Sequence, residues 1–311
     1  MDAQHSPNSE IALVAVDWGT TSFRLSALKE NGETATTVTT TAGIGSVSGR
    51  NFEAYLLGQM AALDVHPGDC EMLLCGMIGS NIGWRDTGYI ACPASPADVV
   101  DRLVAVPSPQ LKAAIVPGLK CTSPIGEPDV MRGEETQLLG WLSDAAIDRQ
   151  SGTLLCLPGT HTKWVQIEEG VVTHFNTSLT GELFAHLCSH SILIRGEQHP
   201  NDNAFADGLG RGFRTPAISQ TLFSTRSRVL LKTMPETAAR DYLSGLLIGA
   251  DVKSAVELWK PSAAVVIGDK AIANLYATAL RGLSVDAAVV DGARMVVRGL
   301  WEIRTRVGIA L

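Results

Sequence analysis

A chain of 311 residues, 45% apolar and 18% charged, is long enough for two lobes and apolar enough to fold without covalent staples. Its net charge of -7, with 32 acidic against 25 basic residues and no Lys or Arg run, excludes a protein that neutralises a nucleic-acid backbone; a phosphorylated small molecule stays allowed, because backbone amides and a metal ion can hold phosphate locally. The six cysteines lack Cys-x-x-Cys spacing, residues 1–10 are polar, and no apolar run approaches the roughly 20 residues of a membrane span, so a reduced, cytoplasmic protein without a membrane partner is expected.

Residues 11–16 are a continuous apolar run that ends at Asp17. The turn-like Trp18-Gly19-Thr20-Thr21 follows, and then alternation through Phe23, Leu25 and Ala27. This pattern predicts strand, tight turn, strand. Asn31-Gly32 is a hairpin signal, and the β-branched residues 34–41 predict a third strand. Phe52, Tyr55, Leu56, Met60 and Leu63 share one helical face, and residues 71–75 read as the next strand. Ser95-Pro96 predicts a helix start, with the helix running through Val104, and residues 113–116 predict a strand. Pro107, Pro109, Pro117, Pro124 and Pro128 mark loops. Gly133-Glu134-Glu135 opens a helix carrying Leu138, Leu139, Trp141 and Leu142, and residues 146–152 suit a lobe boundary.

The opening order of elements then recurs: strand 154–157, turn Pro158-Gly159-Thr160-His161-Thr162, strand 163–168, Glu169-Gly170 and strand 171–175. A repeated meander with a Gly-Thr turn after its first strand predicts two lobes of common design, residues 1–148 and 149–311, each around its own core. Helices are expected over 180–194, 236–249, 272–280 and 291–304, and strands over 263–267 and 285–290. The final helix is expected to pack back toward the hinge.

Asp17 puts a carboxylate at the end of a buried strand, beside a glycine turn with the hydroxyls of Thr20 and Thr21. The carboxylate suits Mg²⁺, and the amides of the turn suit phosphate oxygens. The second turn adds Gly159, Thr160, His161 and Lys163, so two facing hairpins can grip a phosphate chain from both sides. Val265-Val266-Ile267-Gly268-Asp269 is a strand entering a glycine before a helix, where a nucleoside can approach backbone. Glu134 and Glu135 are candidate proton acceptors at a helix start, with Glu134 favoured. Ser80, Asn81, Trp84 and Arg85, in a glycine-punctuated loop, are candidate substrate ligands, with Arg85 for a carboxylate. His186 and His190 lack the further ligands a zinc site needs, and Gly208-Leu209-Gly210-Arg211-Gly212 lacks dinucleotide spacing.

Asp17 to Arg24, residues 157–164 and Ile267-Gly268-Asp269 resemble, in chain order, the two phosphate motifs and the adenosine motif of the actin-like ATPase superfamily. More narrowly, Gly76-Met77-Ile78-Gly79-Ser80, Met131-Arg132-Gly133-Glu134-Glu135-Thr136, residues 178–184 and residues 242–249 resemble signatures of the 2-dehydro-3-deoxygalactonokinase family. The resemblance implies an α/β, two-lobed actin-like (ribonuclease H-like) fold with mixed five-stranded sheets flanked by helices. It also implies ATP with Mg²⁺, and transfer of a phosphoryl group to the terminal hydroxyl of a small sugar acid. Asp17 would then serve the metal, Gly19, Thr20, Thr21, Gly159 and Thr160 the phosphates, and Gly268 and Asp269 the nucleoside. Gly245, in the 242–249 helix, would line the adenine side. A homodimer is compatible with this reading. Two rival readings share the superfamily: an exopolyphosphatase-like hydrolase, disfavoured by the missing basic channel, and a non-enzymatic nucleotide switch.

Overall fold

The computed structural model describes residues 11–68, 70–145 and 153–307. The expected lobe boundary therefore falls outside the described residues. In the first half, β1 (Ile11–Trp18), β2 (Phe23–Lys29) and β3 (Thr34–Thr40) form the predicted meander. After α1 (Phe52–Ala62) come β4 (Glu71–Cys75), β5 (Tyr89–Ala91), α2 (Pro96–Val100), β6 (Val104–Ala105), β7 (Ala113–Ile115), β8 (Gly118–Thr122), β9 (Pro128–Met131) and α3 (Glu134–Ser143). The second half has β10 (Thr153–Leu157), β11 (Thr162–Glu168), β12 (Val171–Ser178), α4 (Thr180–His190), α5 (Asp202–Gly212), α6 (Ile218–Thr221) and α7 (Ser224–Leu230). It ends with α8 (Ala239–Trp259), β13 (Ala263–Gly268), α9 (Lys270–Gly282), β14 (Asp286–Asp291) and α10 (Gly292–Val307).

The sheets run β3-β2-β1-β4-β7-β6 and β12-β11-β10-β13-β14. Apart from the two-residue β6 at one edge, the orders are identical, and so are the strand senses: three antiparallel strands, then two parallel to the first. The internal repeat seen in the sequence is thus a repeat of topology, in the two-lobed actin-like arrangement. Strands β5, β8 and β9 make a small third sheet that leans on the second half, where Asp129 accepts hydrogen bonds from the Thr177 amide at 2.6 Å and hydroxyl at 2.7 Å.

Because β1 is covered on both faces, its apolar run is continuous rather than alternating. Val14, Val16 and Trp18 face a core under α1, whereas Leu13 and Ala15 face a core shared by both halves. That middle core holds Leu73, Leu138, Leu155, Ile267, Met295 and Leu300, and a third core lies under α8 and α9. Two separate cores were expected; α3 and α10, sandwiched between the sheets, merge the inner faces into one. The two helices cross with backbones touching: a Cβ at Gly140 would sit 2.0 Å from Met295 O, and one at Gly299 would sit 2.0 Å from Thr136 O. α10 continues across the first sheet, where Arg304 pairs with Glu71 at 3.0 Å and Glu30 at 3.3 Å.

Some local expectations give way. The helix predicted through Val104 stops at Val100, and Val104–Ala105 instead pairs with β7 as the sheet edge. Pro128 opens β9 rather than a loop, as a strand's first residue tolerates proline. The glycine-rich 208–212 stretch, for which no element was expected, lies inside a helix, α5, whose Gly208 and Gly212 abut the α8 backbone. α8 itself runs ten residues past the expected end at Gly249, stopping where Lys260 turns left-handed (φ 47°) before Pro261.

Candidate active site

Asp17, the penultimate residue of β1, lies on the same face as Leu13 and Ala15, so the strand's period-two alternation aims its carboxylate toward α3. Burial raises the Asp17 pKa, the nearby Arg24 opposes that shift and the Glu134 charge adds to it. Behind the first turn, the Ile44 amide donates to Gly19 O (3.1 Å), and Gly43 lies so close that a Cβ would fall 1.9 Å from Thr20 O. This support leaves Thr20 and Thr21 exposed. Sequence reasoning passed over Gly43; its signal is a glycine just past the third strand.

Two more glycines bring α3 to Asp17. Gly76 follows β4 at φ 88°, and a Cβ there would lie 2.8 Å from Trp18 O and 3.4 Å from Asp17 Oδ1. Gly133 precedes α3 at φ 106°, and its Cβ position is 3.3 Å from Gly76 Cα. Both are left-handed conformations that favour glycine. The two glutamates that follow are placed very differently. Glu134 keeps a partly open carboxylate: Oε2 accepts the Arg132 amide at 3.0 Å, and Oε1 lies 3.7 Å from Lys163 Nζ on β11 of the other half. Glu135 is fully buried and accepts the Gly133 amide at 2.7 Å; burial first, then the Glu134 charge, pushes its pKa up to about 8.

The second turn is carried by α4. A Cβ at Gly181 would be 2.1 Å from Gly159 O, the Glu182 amide donates to Thr160 O at 2.8 Å, and the Glu182 carboxylate pairs with His161. A Cβ at Gly159 would meet nothing within 4 Å, so the turn borders open space. Gly268, ending β13, packs beside Pro158 of that turn and against Gly292, while Asp269 caps α9 by accepting the Ala271 amide at 2.9 Å. Gly245 has a different use from the one expected. Its Cα faces α5, where a Cβ would come 2.1 Å from Phe205 O, so helix packing leaves no room for a nucleotide at that point.

In the loop after β4, Ser80 is buried and donates to Met77 O at 2.7 Å, Asn81 is exposed and Trp84 is half-buried. Arg85 donates to Ala105 O on the surface. The buried guanidinium of this region is that of Arg132, which the sequence reading did not single out. It donates to Thr87 Oγ1 and to Gly88 O (2.9 Å), lies 3.8 Å from Asp86 and covers the Tyr89 ring at 4.5 Å. The loop is thereby tied to the residue whose amide holds Glu134. Among the described residues no group of three or more His, Cys, Asp and Glu is placed to hold a metal ion, and no helix is long and apolar enough to cross a membrane.

The site thus gathers Asp17, Glu134, Lys163, two Gly-Thr turns and a strand-glycine-helix junction at one place between the halves. A family profile for 2-keto-3-deoxy-galactonokinases matches residues 17–303. Over 304 residues the chain is 36% identical to the "Probable 2-dehydro-3-deoxygalactonokinase DgoK1" of Rhizobium meliloti, covering 93% of this chain and 97% of that protein. The 2-dehydro-3-deoxygalactonokinase of Escherichia coli is 33% identical over 282 residues, 90% of this chain and 92% of its own. A crystal structure from Sinorhizobium meliloti, assigned to the same enzyme, superposes with a TM-score of 0.87 at 34% identity, covering 96% of this chain and all of its own. With a profile match across nearly its whole length and such relatives, this chain belongs to the 2-keto-3-deoxy-galactonokinase family.

Proposed function

We propose that the protein transfers the γ-phosphoryl group of ATP to the 6-hydroxyl of 2-dehydro-3-deoxy-D-galactonate, yielding the 6-phosphate. The observation that carries this reading is the approach of Lys163 to Glu134 at 3.7 Å, which unites the second turn with the α3 start beside Asp17. Transfer to an alcohol needs alignment, charge neutralisation and a proton acceptor. Glu134 is the acceptor: its side chain keeps 23% exposure, and its Oε1 lies 3.7 Å from Lys163 Nζ of the second turn's strand. Glu135 stays buried and holds the helix start by binding the Gly133 amide.

Thr20, Thr21, Gly159 and Thr160 supply the amides and hydroxyls that face phosphate oxygens, and Gly268 lets the nucleoside lie against backbone. The Asp17 carboxylate accepts no hydrogen bond among the described residues and sits near a second carboxylate, that of Glu134, a donor set that fits Mg²⁺. When bound, the ion would neutralise charge on the phosphates. The loop 79–88, braced by Arg132, would take the sugar acid with Ser80, Asn81 and Trp84.

A coupled ADP-release assay with 2-dehydro-3-deoxy-galactonate and a panel of aldonic and 2-keto-3-deoxy acids tests the reading. Turnover on the galactonate derivative is expected, and lack of turnover on every acid overturns it.

A further inference from the structure

Deep in the second half, Asp251 of α8 is a carboxylate that the proposed reaction does not use. It is 8% exposed and gathers donors from three other elements: Trp164 Nε1 of β11 at 2.9 Å, Thr180 Oγ1 of α4 at 2.7 Å and Tyr276 Oη of α9 at 2.9 Å. Tyr276 gives its proton to Asp251, so it accepts from Thr162 Oγ1, 2.9 Å away. A buried carboxylate costs stability unless its lone pairs are filled, and here the filling groups come from elements distant in sequence.

Two of those partners bracket the second Gly-Thr turn. Thr162 is the residue next to Lys163 and directly follows Pro158-Gly159-Thr160-His161. Thr180 is the first residue of α4, whose next two residues touch the turn: Gly181 against Gly159 O and the Glu182 amide on Thr160 O at 2.8 Å. One carboxylate therefore fixes the strand leaving the turn and the helix start that supports it.

We propose that Asp251 is a positioning residue for phosphoryl transfer, which through Thr180 and through the Tyr276–Thr162 pair sets the second turn and Lys163 against the phosphate chain of ATP. The inference rests on reading that turn as a phosphate clamp. It makes the network specific to the nucleotide: the sugar-side loop 79–88 belongs to the other half and does not touch it.

The test uses the full chain with Thr180→Val, which keeps the side chain's shape and loses the hydroxyl, Thr180→Ser, which restores it, and Asp251→Ala. Each is assayed for kcat, for both KM values and for the Kd of a fluorescent ATP analogue without sugar acid. Thr180→Val is expected to raise the ATP KM and the analogue Kd by about five- to tenfold, with the sugar-acid KM within about twofold, and Thr180→Ser to stay near wild type. Asp251→Ala, where it folds, should exceed Thr180→Val in the same direction. Wild-type ATP KM and Kd in a folded Thr180→Val protein overturn the proposal, as does an equal rise in both KM values or loss of its cooperative melting transition, each of which assigns the network to stability alone. If no acid is turned over by the wild type, the kinase reading fails while the analogue Kd still decides this inference.

Discussion

Lys163 Nζ stands 3.7 Å from Glu134 Oε1, joining a strand of one half to a helix start of the other, with the lysine side chain only 5% exposed and that of the glutamate 23%. A pair so poorly hydrated is costly to break from one side, because the survivor is left buried and uncompensated. In the proposed reaction it would keep base and phosphate-side cation within reach of one another. Glu134→Gln should therefore lower kcat by about 10²–10⁴-fold while changing the ATP KM far less, as expected for loss of general-base catalysis. Glu135→Gln should retain much more activity. Steady-state rates for the two variants check this, and equal losses would contradict the assignment.

Glu135 gives a prediction in pH. Its carboxyl titrates near 4.5 when unperturbed and at about 8 in the folded protein, burial being the main cause. Between those values the native state holds a proton that the unfolded chain has released. Stability from this group is thus fully present below about 4.5 and declines as pH rises toward about 8, by an amount on the order of a few kcal/mol. Urea midpoints measured from pH 5 to 8.5 without nucleotide or metal should fall for the wild type, and fall visibly less for Glu135→Gln. Parallel curves for the two proteins would show that Glu135 is ionised throughout.

Arg132 and Arg85 offer a direct contrast. Arg132 braces Thr87 and Gly88 with both ends of its fork, whereas Arg85 reaches Ala105 O on the surface. Arg132→Lys keeps the charge but cannot reproduce the fork. It is expected to raise the sugar-acid KM by about tenfold and leave the ATP KM within about twofold, with Arg85→Ala weaker on both. A larger effect from Arg85→Ala would return the carboxylate-binding role to that residue.

The crossing of α3 and α10 can be probed with a single methyl group. Gly140→Ala would press a Cβ to 2.0 Å from Met295 O, a contact with backbone that cannot rotate away. A loss of at least about 2 kcal/mol is expected in denaturant unfolding. Gly58→Ala on α1, where the added Cβ meets nothing within 4 Å, should instead gain up to about 1 kcal/mol. Similar midpoints for the two variants would refute the close crossing.

These contrasts also mark what could be read before the structure. The β1-turn-β2 meander and its repeat were legible because continuous apolar runs ending in Gly-Thr turns, and the strand patterns after them, are local signals. The two Gly-Thr turns and Gly268 were singled out for the same reason. For Gly245 the sequence was silent on its packing, because a glycine in a helix does not tell whether its bare Cα faces a ligand or another helix; that depends on α5, which abuts it. Arg132 was missed for a related reason. One sequence shows how many arginines flank a loop, but which of them is buried is decided by contacts such as that of Arg132 with the Tyr89 ring of β5.

The last helix crosses the sheet formed by the first strands, with Arg304 bonded to Glu71 and Glu30, and Leu300 and Ile303 in the same core as Leu13 and Leu73. That oily side of the first half is partly covered by its own α3, and its cover is complete only once α10 is also in place. A chain cut before α10 would therefore expose part of the core that Leu13 and Leu73 share with Leu300 and Ile303, apolar surface of the kind that aggregates.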